Sequence, residues 1–250
     1  MDQELHWNNI AERYDDEVFD VFKSDKNQTL KKYFKKHSNK KHVATDFGCG
    51  NGKAFEYLSP AFKHVNAYDI SEELISIAKT RGYKNISYGK ADLTRSNLKL
   101  PKAKFGLCCN VAILPEPDRN RAILRTIARG LVKGGAALVV VPSMESLLYS
   151  SWRLVEWYKK EGVKPHRIPR HELAYYDLDI TDVIQGVVKI NGVPTKHYTH
   201  SEIQVIFREA GFNVRAVEKL EYSWKTEFDS PPSWLRDPYP WDWMIEAIKK

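Results

Sequence analysis

Short apolar runs alternate with amphipathic segments along most of the chain. Such runs lie at 43–46, 65–68, 105–109 and 136–141. Runs that are apolar on nearly every residue are typical of parallel strands covered on both faces. Between them, one helix is predicted after Ser71, an N-cap residue followed by Glu72 and Glu73, and another over 118–130. The pattern therefore predicts an α/β fold with helices packed on a mostly parallel sheet.

The C-terminal part continues this alternation. Thr199 and Glu202 have the spacing of a capping box, and the apolar residues after them predict a helix that Gly211 ends. Two closing strands are expected over 213–218 and 220–225.

The stretch 144–198 is longer than a helical crossover requires, and we interpret it as an inserted cap. Asn191 and Gly192 favour a tight turn that joins 187–190 to 193–198 as a hairpin. The cap is rich in aromatic residues, and more follow in a tail at 231–243. These side chains either pack the cap onto the sheet or line an apolar pocket. The candidates for substrate contact are Trp152, Trp157, Tyr175 and Tyr176.

The formal net charge of +7 comes from one segment. Eight lysines and a single acid, Asp25, lie between Lys23 and Lys41, and the rest of the chain sums to zero. Several of these lysines share one face of a probable helix whose other face is apolar. Such a face is either solvated or a site for a polyanion, and the charge alone does not choose between them.

The composition indicates a water-soluble protein. No apolar run approaches the roughly 20 residues that span a bilayer, and the N-terminus lacks the basic and apolar pattern of a signal peptide. Three cysteines form no disulfide framework, and we predict no metal site. We expect a cytoplasmic protein, a monomer or homodimer, with no membrane association.

The most specific motif is a glycine loop after the first apolar run. Asp46 is followed by Gly48, Gly50 and Gly52. A dinucleotide loop has its third glycine one residue later, and a carboxylate at position 46 would repel a phosphate. The same carboxylate suits a ligand that carries an ammonium or sulfonium group.

A second acid supports a nucleoside ligand. Asp69 ends the second apolar run, about twenty residues beyond the glycine loop. An acid at that position accepts hydrogen bonds from ribose hydroxyls. The alternative for Asp69 alone is an ordinary turn residue.

Together these residues resemble the class I S-adenosylmethionine-dependent methyltransferases that act on small molecules. The resemblance implies a Rossmann-like, doubly wound, seven-stranded, mostly parallel sheet with an antiparallel last strand, plus the α/β-hairpin cap. It implies a single domain with an N-terminal helical region (1–42), a cofactor-binding core (43–143), the cap (144–198) and the end of the core with the aromatic tail (199–250). The cofactor would be S-adenosylmethionine and the product S-adenosylhomocysteine.

The resemblance also assigns residues to the cofactor. The N-terminal arrangement of Trp7, Ala11, Tyr14 and Asp15 is similar to the helix that covers the cofactor in this family, with Tyr14 at the methionine end. The remaining contacts follow the ends of successive strands. They are Asp46, Gly48, Cys49, Gly50, Gly52, Asp69, Ile70, Asp92, Leu93, Asn110 and Val111.

The reaction implied is direct displacement of the methyl group by an oxygen, nitrogen or sulfur atom of a small-molecule acceptor. If a general base is needed, the candidates are His166, His171, His197 and His200. His197 is favoured because it ends the hairpin near the expected mouth of the site.

Nucleic acid is a disfavoured partner, since the motif of enzymes that methylate exocyclic base nitrogens is missing after Asn110. The alternatives are an RNA methyltransferase that uses the Lys23–Lys41 segment, and a subunit that binds the cofactor without turnover.

Overall fold

The computed structural model describes residues 3–169, 172, 180–190 and 192–250. Nine strands are found within those ranges: β1 (Asn39–Phe47), β2 (Phe62–Asp69), β3 (Ile86–Lys90), β4 (Ala103–Cys109), β5 (Leu131–Pro142), β6 (Val187–Ile190), β7 (Val193–Lys196), β8 (Phe212–Glu221) and β9 (Trp241–Lys249). The described helices are α1 (Gln3–Ile10), α2 (Tyr14–Glu17), α3 (Val21–Ser24), α4 (Thr29–His37), α5 (Phe55–Ala61), α6 (Glu72–Thr80), α7 (Pro117–Arg129), α8 (Met144–Lys160), α9 (Ile180–Ile184) and α10 (His200–Glu209).

Seven strands form one sheet in the order β3-β2-β1-β4-β5-β9-β8. Strand β9 runs antiparallel to both of its neighbours, and the pairs β1-β2, β1-β4, β2-β3 and β4-β5 are parallel. The predicted Rossmann-like sheet with one antiparallel strand is therefore confirmed. Strands β6 and β7 form the separate hairpin that the sequence predicted, although Asn191 in its turn lies outside the described residues.

Apolar side chains cover both faces of this sheet. On one face, Ile123 and Ile127 of α7 and Phe207 of α10 pack against β4, β5 and β9. On the other face, Phe34 of α4 and Leu58 of α5 pack against β1, β2 and β4. The central strands are buried from both sides, which explains their continuous apolar runs.

Local signals placed several element ends correctly. Ser71 is the N-cap of α6, and its hydroxyl accepts a hydrogen bond from the backbone N–H of Leu74 at 3.1 Å. Thr199 caps α10 in the same way, through the N–H of Glu202 at 3.2 Å. A complete capping box would also have the Glu202 carboxylate accept a hydrogen bond from the backbone N–H of Thr199. That bond does not form, because the Glu202 carboxylate pairs with Lys196 Nζ at 2.8 Å.

The prediction of a final strand at 220–225 is wrong. Strand β8 ends at Glu221, and a 3₁₀ turn follows at Trp224–Thr226. The last strand is β9, which begins inside the segment that was read as an aromatic tail. It fills the gap between β5 and β8, where Met244 and Ile245 are fully buried. Prolines at 238 and 240 mark a break before this strand, but burial between two partner strands decides its position in the sheet.

Candidate active site

The glycine loop follows β1 and is fixed to the end of β2. The N–H groups of Gly48 and Cys49 both donate to the carbonyl oxygen of Tyr68, at 2.7 and 2.9 Å. Gly48, Gly50 and Gly52 have φ angles of +82°, +52° and +83°, which disfavour other residues. A Cβ atom on Gly50 would lie 2.6 Å from the hydroxyl oxygen of Tyr14. The loop therefore needs glycine both for its conformation and for its closeness to Tyr14.

Two carboxyl groups are buried beside this loop. Asp69 accepts hydrogen bonds from the N–H groups of Gly50 at 2.7 Å and Ser71 at 3.0 Å. Burial raises its pKa above the usual range, in spite of these bonds. Asp46 is 2% exposed, and burial, together with the charge of Asp69, raises its pKa to about 8. Its Oδ2 atom has no hydrogen-bond partner among the described residues. A bound cation would compensate this carboxylate.

A first cavity of about 100 Å³ opens at the carboxyl ends of β2, β3 and β4. Its walls include Asp69, Ile70, Asp92, Leu93 and Val111, which the sequence assigned to the cofactor. These residues come together because parallel strands end at the same edge of the sheet. The cavity combines two carboxylates, Asp69 and Asp92, with apolar side walls, which suits a nucleoside.

Asp92 also has a local structural role. Its Oδ1 atom accepts hydrogen bonds from the backbone N–H of Thr94 at 2.9 Å and from the Thr94 hydroxyl at 2.6 Å. Partial burial opposes ionisation, but these bonds and the nearby Arg95 lower the pKa of Asp92 below its usual value. Asp92 thus stabilises its own turn while it faces the cavity.

The N-terminal helices cover the glycine loop. Trp7 of α1 and Tyr14 of α2 line both this cavity and its larger neighbour. The carboxylate of Asp15 accepts a hydrogen bond from the Asn51 amide and pairs with Lys53, each at 3.0 Å. These contacts hold the cover against the loop. Burial raises the pKa of Tyr14 well above the usual value, so its hydroxyl keeps its proton and can donate.

A second cavity, of about 460 Å³, lies next to the first. The two share Tyr14, Gly48 and Asn110 as common walls. Asp46 and Cys49 of the glycine loop region face the second cavity, as does the hairpin β6-β7. Burial raises the pKa of the Cys49 thiol well above its usual value, so it is not a ready nucleophile.

His197 lines the second cavity directly after the hairpin. Its Nδ1 atom lies 3.0 Å from the carbonyl oxygen of Thr195. A carbonyl only accepts, so Nδ1 carries the proton and Nε2 of the neutral ring is left as an acceptor. Burial lowers the pKa of His197 to about 4, helped by the charge of Lys196. The ring is therefore neutral at pH 7.

The second cavity also contains an acid that sequence reasoning missed. Asp242 stands near the start of β9, opposite Pro142 of β5. Its carboxylate accepts a hydrogen bond from the Tyr222 hydroxyl at 2.8 Å and another from the Asn110 side chain. Burial raises the pKa of Asp242 to about 6. The period of two in which Trp241, Trp243 and Ile245 alternate with Asp242, Met244 and Glu246 was the available signal for this strand.

Several predicted residues lie elsewhere. Trp152 is 53% exposed and Trp157 donates to the Glu161 carboxylate, and both are outside the described linings of the two cavities. Tyr175, Tyr176 and His171 lie outside the described residues. Of the other candidate bases, His166 and His200 are exposed. The structure thus brings His197 to the cavity and leaves the two tryptophans away from it.

Two of the glycines predicted to contact the cofactor, Gly50 and Gly52, are in contact with other parts of the protein. Gly50 contacts Tyr14 and Asp69, and a Cβ atom on Gly52 would collide with the ring of Phe55. Neither glycine is part of the described lining of either cavity. Their role is to shape the loop that carries Gly48.

The lysine-rich segment is directed away from both cavities. Helix α4 buries Leu30, Tyr33 and Phe34 against the sheet, as its pattern predicted. No lysine of the Lys23–Lys41 segment belongs to the cavity walls in the described part of the chain. Lys36 pairs with the buried Glu246 of β9 at 2.7 Å, so at least one of these lysines has a structural partner.

Comparison with known proteins gives the same fold. Residues 45–139 match the family model described as "Methyltransferase domain". No curated protein matches the sequence.

In the described ranges, no helix is both long and apolar enough to cross a bilayer.

Many solved structures are similar to this chain, and three of them illustrate the likeness. The DhpI-SAM-HEP complex has a TM-score of 0.63 and 15% identity, covering 98% of this chain and 95% of that one. Magnesium protoporphyrin IX methyltransferase from Synechocystis, with bound SAH, has a TM-score of 0.61 and 16% identity, covering 99% and 98%. The Haloferax volcanii complex of the Trm112 methyltransferase activator with a putative methyltransferase has a TM-score of 0.61 and 14% identity, covering 100% and 98%.

These similarities, the strand order and the glycine loop between two buried acids agree with one another. Residues 45–139 therefore match a methyltransferase family, and the chain has the fold of the S-adenosylmethionine-dependent methyltransferases to which it is similar.

Proposed function

We propose that this protein transfers a methyl group from S-adenosylmethionine to an oxygen, nitrogen or sulfur atom of a small molecule bound in the second cavity. The observation that carries the proposal is the pair of adjoining cavities, which share Tyr14, Gly48 and Asn110. One cavity has the lining expected for a nucleoside. The other, at about 460 Å³, has the size of a small-molecule site.

The residues present fit this cofactor. The partnerless Oδ2 atom of Asp46 is a buried acceptor that an ammonium group would satisfy. Asp69 lies at the wall of the first cavity and keeps lone pairs for ribose hydroxyls in addition to its two backbone bonds. Ile70, Leu93 and Val111 supply the apolar faces against which a purine packs. When bound, the cofactor supplies an electrophilic methyl group on a sulfonium.

The protein's contribution is mainly positioning and exclusion of water. Asn110 borders both cavities, and its φ of +53° directs the chain sharply at the end of β4. The covering helices and the hairpin enclose the region where acceptor and methyl group would meet. Alignment of two reactants in this way contributes roughly 7 to 11 kcal/mol to lowering the barrier. The free Nε2 atom of His197 can accept a hydrogen bond from the acceptor.

We propose that residues 144–198 act as the substrate cap through the hairpin β6-β7. Ile190, Val193 and Pro194 of this hairpin line the second cavity. Helix α8 of the same segment packs instead against the C-terminal part, where the Ser146 hydroxyl accepts a hydrogen bond from the N–H of Trp241 at 2.8 Å. The cap thus divides into an acceptor-facing hairpin and a supporting helix.

Calorimetric titration of the purified protein tests the proposal. We expect S-adenosylmethionine and S-adenosylhomocysteine to bind at micromolar concentrations and NAD not to bind. Acceptors would then be screened by release of S-adenosylhomocysteine. Failure of both ligands to bind would refute the cofactor assignment.

Turnover by the protein alone separates an enzyme from a subunit that needs a partner. Cofactor binding without turnover of any acceptor would favour the non-catalytic alternative. The RNA alternative predicts RNA binding that weakens steeply with salt and is lost when Lys31, Lys32 and Lys35 are replaced by glutamate. We expect those replacements to leave small-molecule methylation unchanged, because the three lysines lie outside both described cavity linings.

A further inference from the structure

The described lining of the second cavity includes the carboxyl groups of Asp46, Asp242 and Glu17. Asp46 is protonated at pH 7 and Glu17 pairs with Arg13 at 3.0 Å, so Asp242 is the ionised acid of this lining that lacks a cationic partner among the described residues. Lys53 also faces it, but its ammonium group pairs with Asp15 at 3.0 Å and Asp20 at 3.4 Å. The cation in the wall is therefore already compensated by two acids. An anionic acceptor would meet the uncompensated carboxylate of Asp242, whereas a cationic one would find a counter-ion there.

Hydrogen bonds from two neighbouring side chains orient the Asp242 carboxylate in this cavity. The Tyr222 hydroxyl and the Asn110 side chain both donate to it, which fixes the orientation of its two oxygens. Tyr222 is 3% exposed, and its ring is packed edge-on against Phe19 with centroids 4.8 Å apart. Asn110 also borders the first cavity, so Asp242 is one side chain away from the cofactor region. Asp46, by contrast, lies beside the glycine loop, two residues before Gly48.

Aromatic rings complete the surroundings of this carboxylate. Trp7, Tyr14, Phe19 and Phe22 line the same cavity. The faces of such rings attract cations in addition to excluding water. A wall that combines a fixed carboxylate with aromatic rings is a recognition surface for an organic ammonium ion.

We propose that the second cavity binds a small organic amine, with the Asp242 carboxylate holding its ammonium group and removing one of its protons. The inference rests on the proposed function and specifies the acceptor atom as nitrogen. One N–H bond of the ammonium breaks, its proton forms an O–H bond on Asp242, and the electron pair stays on nitrogen. The products of this step are a neutral amine with a free lone pair and a neutral carboxylic acid, so charge and atoms balance.

Asp242 is better suited to this proton than His197. With a pKa of about 6, Asp242 is ionised at pH 7 but takes a proton more readily than an ordinary aspartate. His197, with a pKa of about 4, is a weak base and serves as a hydrogen-bond acceptor. The two groups thus have different roles in the same cavity.

The test measures binding by the protein saturated with S-adenosylhomocysteine, so that no turnover is needed. The probes are three matched pairs: benzylamine and benzyl alcohol, 2-phenylethylamine and 2-phenylethanol, and tryptamine and tryptophol. We expect at least one amine to bind about ten-fold or more tightly than its alcohol at pH 7.5, as expected for a hydrogen bond between charged groups. Phenylacetate, an anionic probe, should bind more weakly than 2-phenylethanol.

Variants assign the preference to one carboxylate. Asp242→Asn should reduce the preference for the amine to less than about three-fold, while the affinity for S-adenosylhomocysteine stays unchanged. Tyr222→Phe, which removes only a hydroxyl, should reduce the preference in the same direction by a smaller factor. Asp118→Asn is the matched control, because the Asp118 side chain is 98% exposed on α7 and should leave the preference intact.

Two results would overturn the inference while the proposed function stands. One is that no amine binds more tightly than its alcohol although S-adenosylhomocysteine binds normally. The other is that Asp242→Asn, folded and binding S-adenosylhomocysteine, keeps the full preference. Absence of S-adenosylhomocysteine binding by the unaltered protein would instead refute the proposed function, and this inference with it.

Discussion

Asp46→Asn exchanges a buried carboxyl group for a neutral amide of similar shape. In the free protein, burial and the neighbouring Asp69 raise the pKa of Asp46 to about 8, so the group is protonated at pH 7. The ammonium group of S-adenosylhomocysteine favours the ionised form. Binding should therefore release a proton from Asp46, and the asparagine variant should lack that release.

The magnitude follows from the size of the pKa change. Below pH 8, the affinity of the unaltered protein should increase about ten-fold for each pH unit, because 1.36 kcal/mol corresponds to one unit. The free protein should show the opposite trend in stability. A carboxyl group with a raised pKa stabilises the fold fully below its unfolded value of 3.8, and this contribution is lost as pH rises through about 8. The full contribution is on the order of 5 kcal/mol.

Calorimetry in two buffers measures the proton directly. Titrations with S-adenosylhomocysteine at pH 6.5, in phosphate and in imidazole, give the number of protons released from the difference in apparent enthalpy. We expect nearly one proton more from the unaltered protein than from Asp46→Asn. Asp92→Asn is the matched control, because the pKa of Asp92 is lowered and its carboxylate is ionised throughout.

Thermal unfolding of the free proteins at pH 5 and pH 8 gives the second readout. The unaltered protein should lose more stability between these values than Asp46→Asn, since Asp69 and Asp242 titrate in both. Equal proton release by the two proteins, with an affinity independent of pH, would refute the reasoning. It would mean that Asp46 is already ionised in the free protein or does not contact the ligand.

Three further substitutions test the loop and the core. Gly50→Ala places a methyl group 2.6 Å from the Tyr14 hydroxyl oxygen and should weaken S-adenosylhomocysteine binding, measured by calorimetry, about ten-fold or more. Gly162→Ala is the control, because Gly162 also has a positive φ, of +82°, but open space around it, and this variant should not weaken binding. Asp69→Ala removes an acceptor of two backbone bonds and should weaken the same binding by about 1 to 3 kcal/mol; unchanged affinity would exclude its assigned role. Glu246→Gln removes the carboxylate that pairs with Lys36 and hydrogen-bonds to His37, and should destabilise the fold by about 1 to 3 kcal/mol in urea unfolding with cofactor affinity unchanged; equal stability would contradict it.

The cofactor side of the site could be predicted because its residues lie close to one another in sequence. Asp46 and Asp69 lie at the ends of β1 and β2, Gly48 follows β1, and parallel strands bring those ends to one edge. The N-cap of α6 at Ser71 and the end of α10 before Gly211 are likewise decided by neighbouring residues. Local chemistry therefore determined the loop and its two acids.

On the acceptor side, the structure places His197 at the second cavity and Trp152 and Trp157 outside both described linings, and the roles of these residues stay predictions. Trp152 and Trp157 were selected for their aromatic character, but composition does not tell which face of a helix meets a cavity. Asp242 was hidden in a segment read as a tail, because the prolines and tryptophans around it were taken together as one irregular stretch and the period of two after Pro240 was not used. Glu202 satisfied a local motif, yet its carboxylate pairs with Lys196.

The amino-acid sequence by itself determined the fold class, the glycine loop and the type of cofactor, since these depend on short-range pattern. Only the tertiary structure decided that β9 lies between β5 and β8, and so placed Asp242 beside Asn110 and Tyr222. That placement depends on burying Met244 and Ile245 between partner strands far away in sequence. Hydrophobic burial is not directional, so which distant segments share it is settled by the packing of the whole chain.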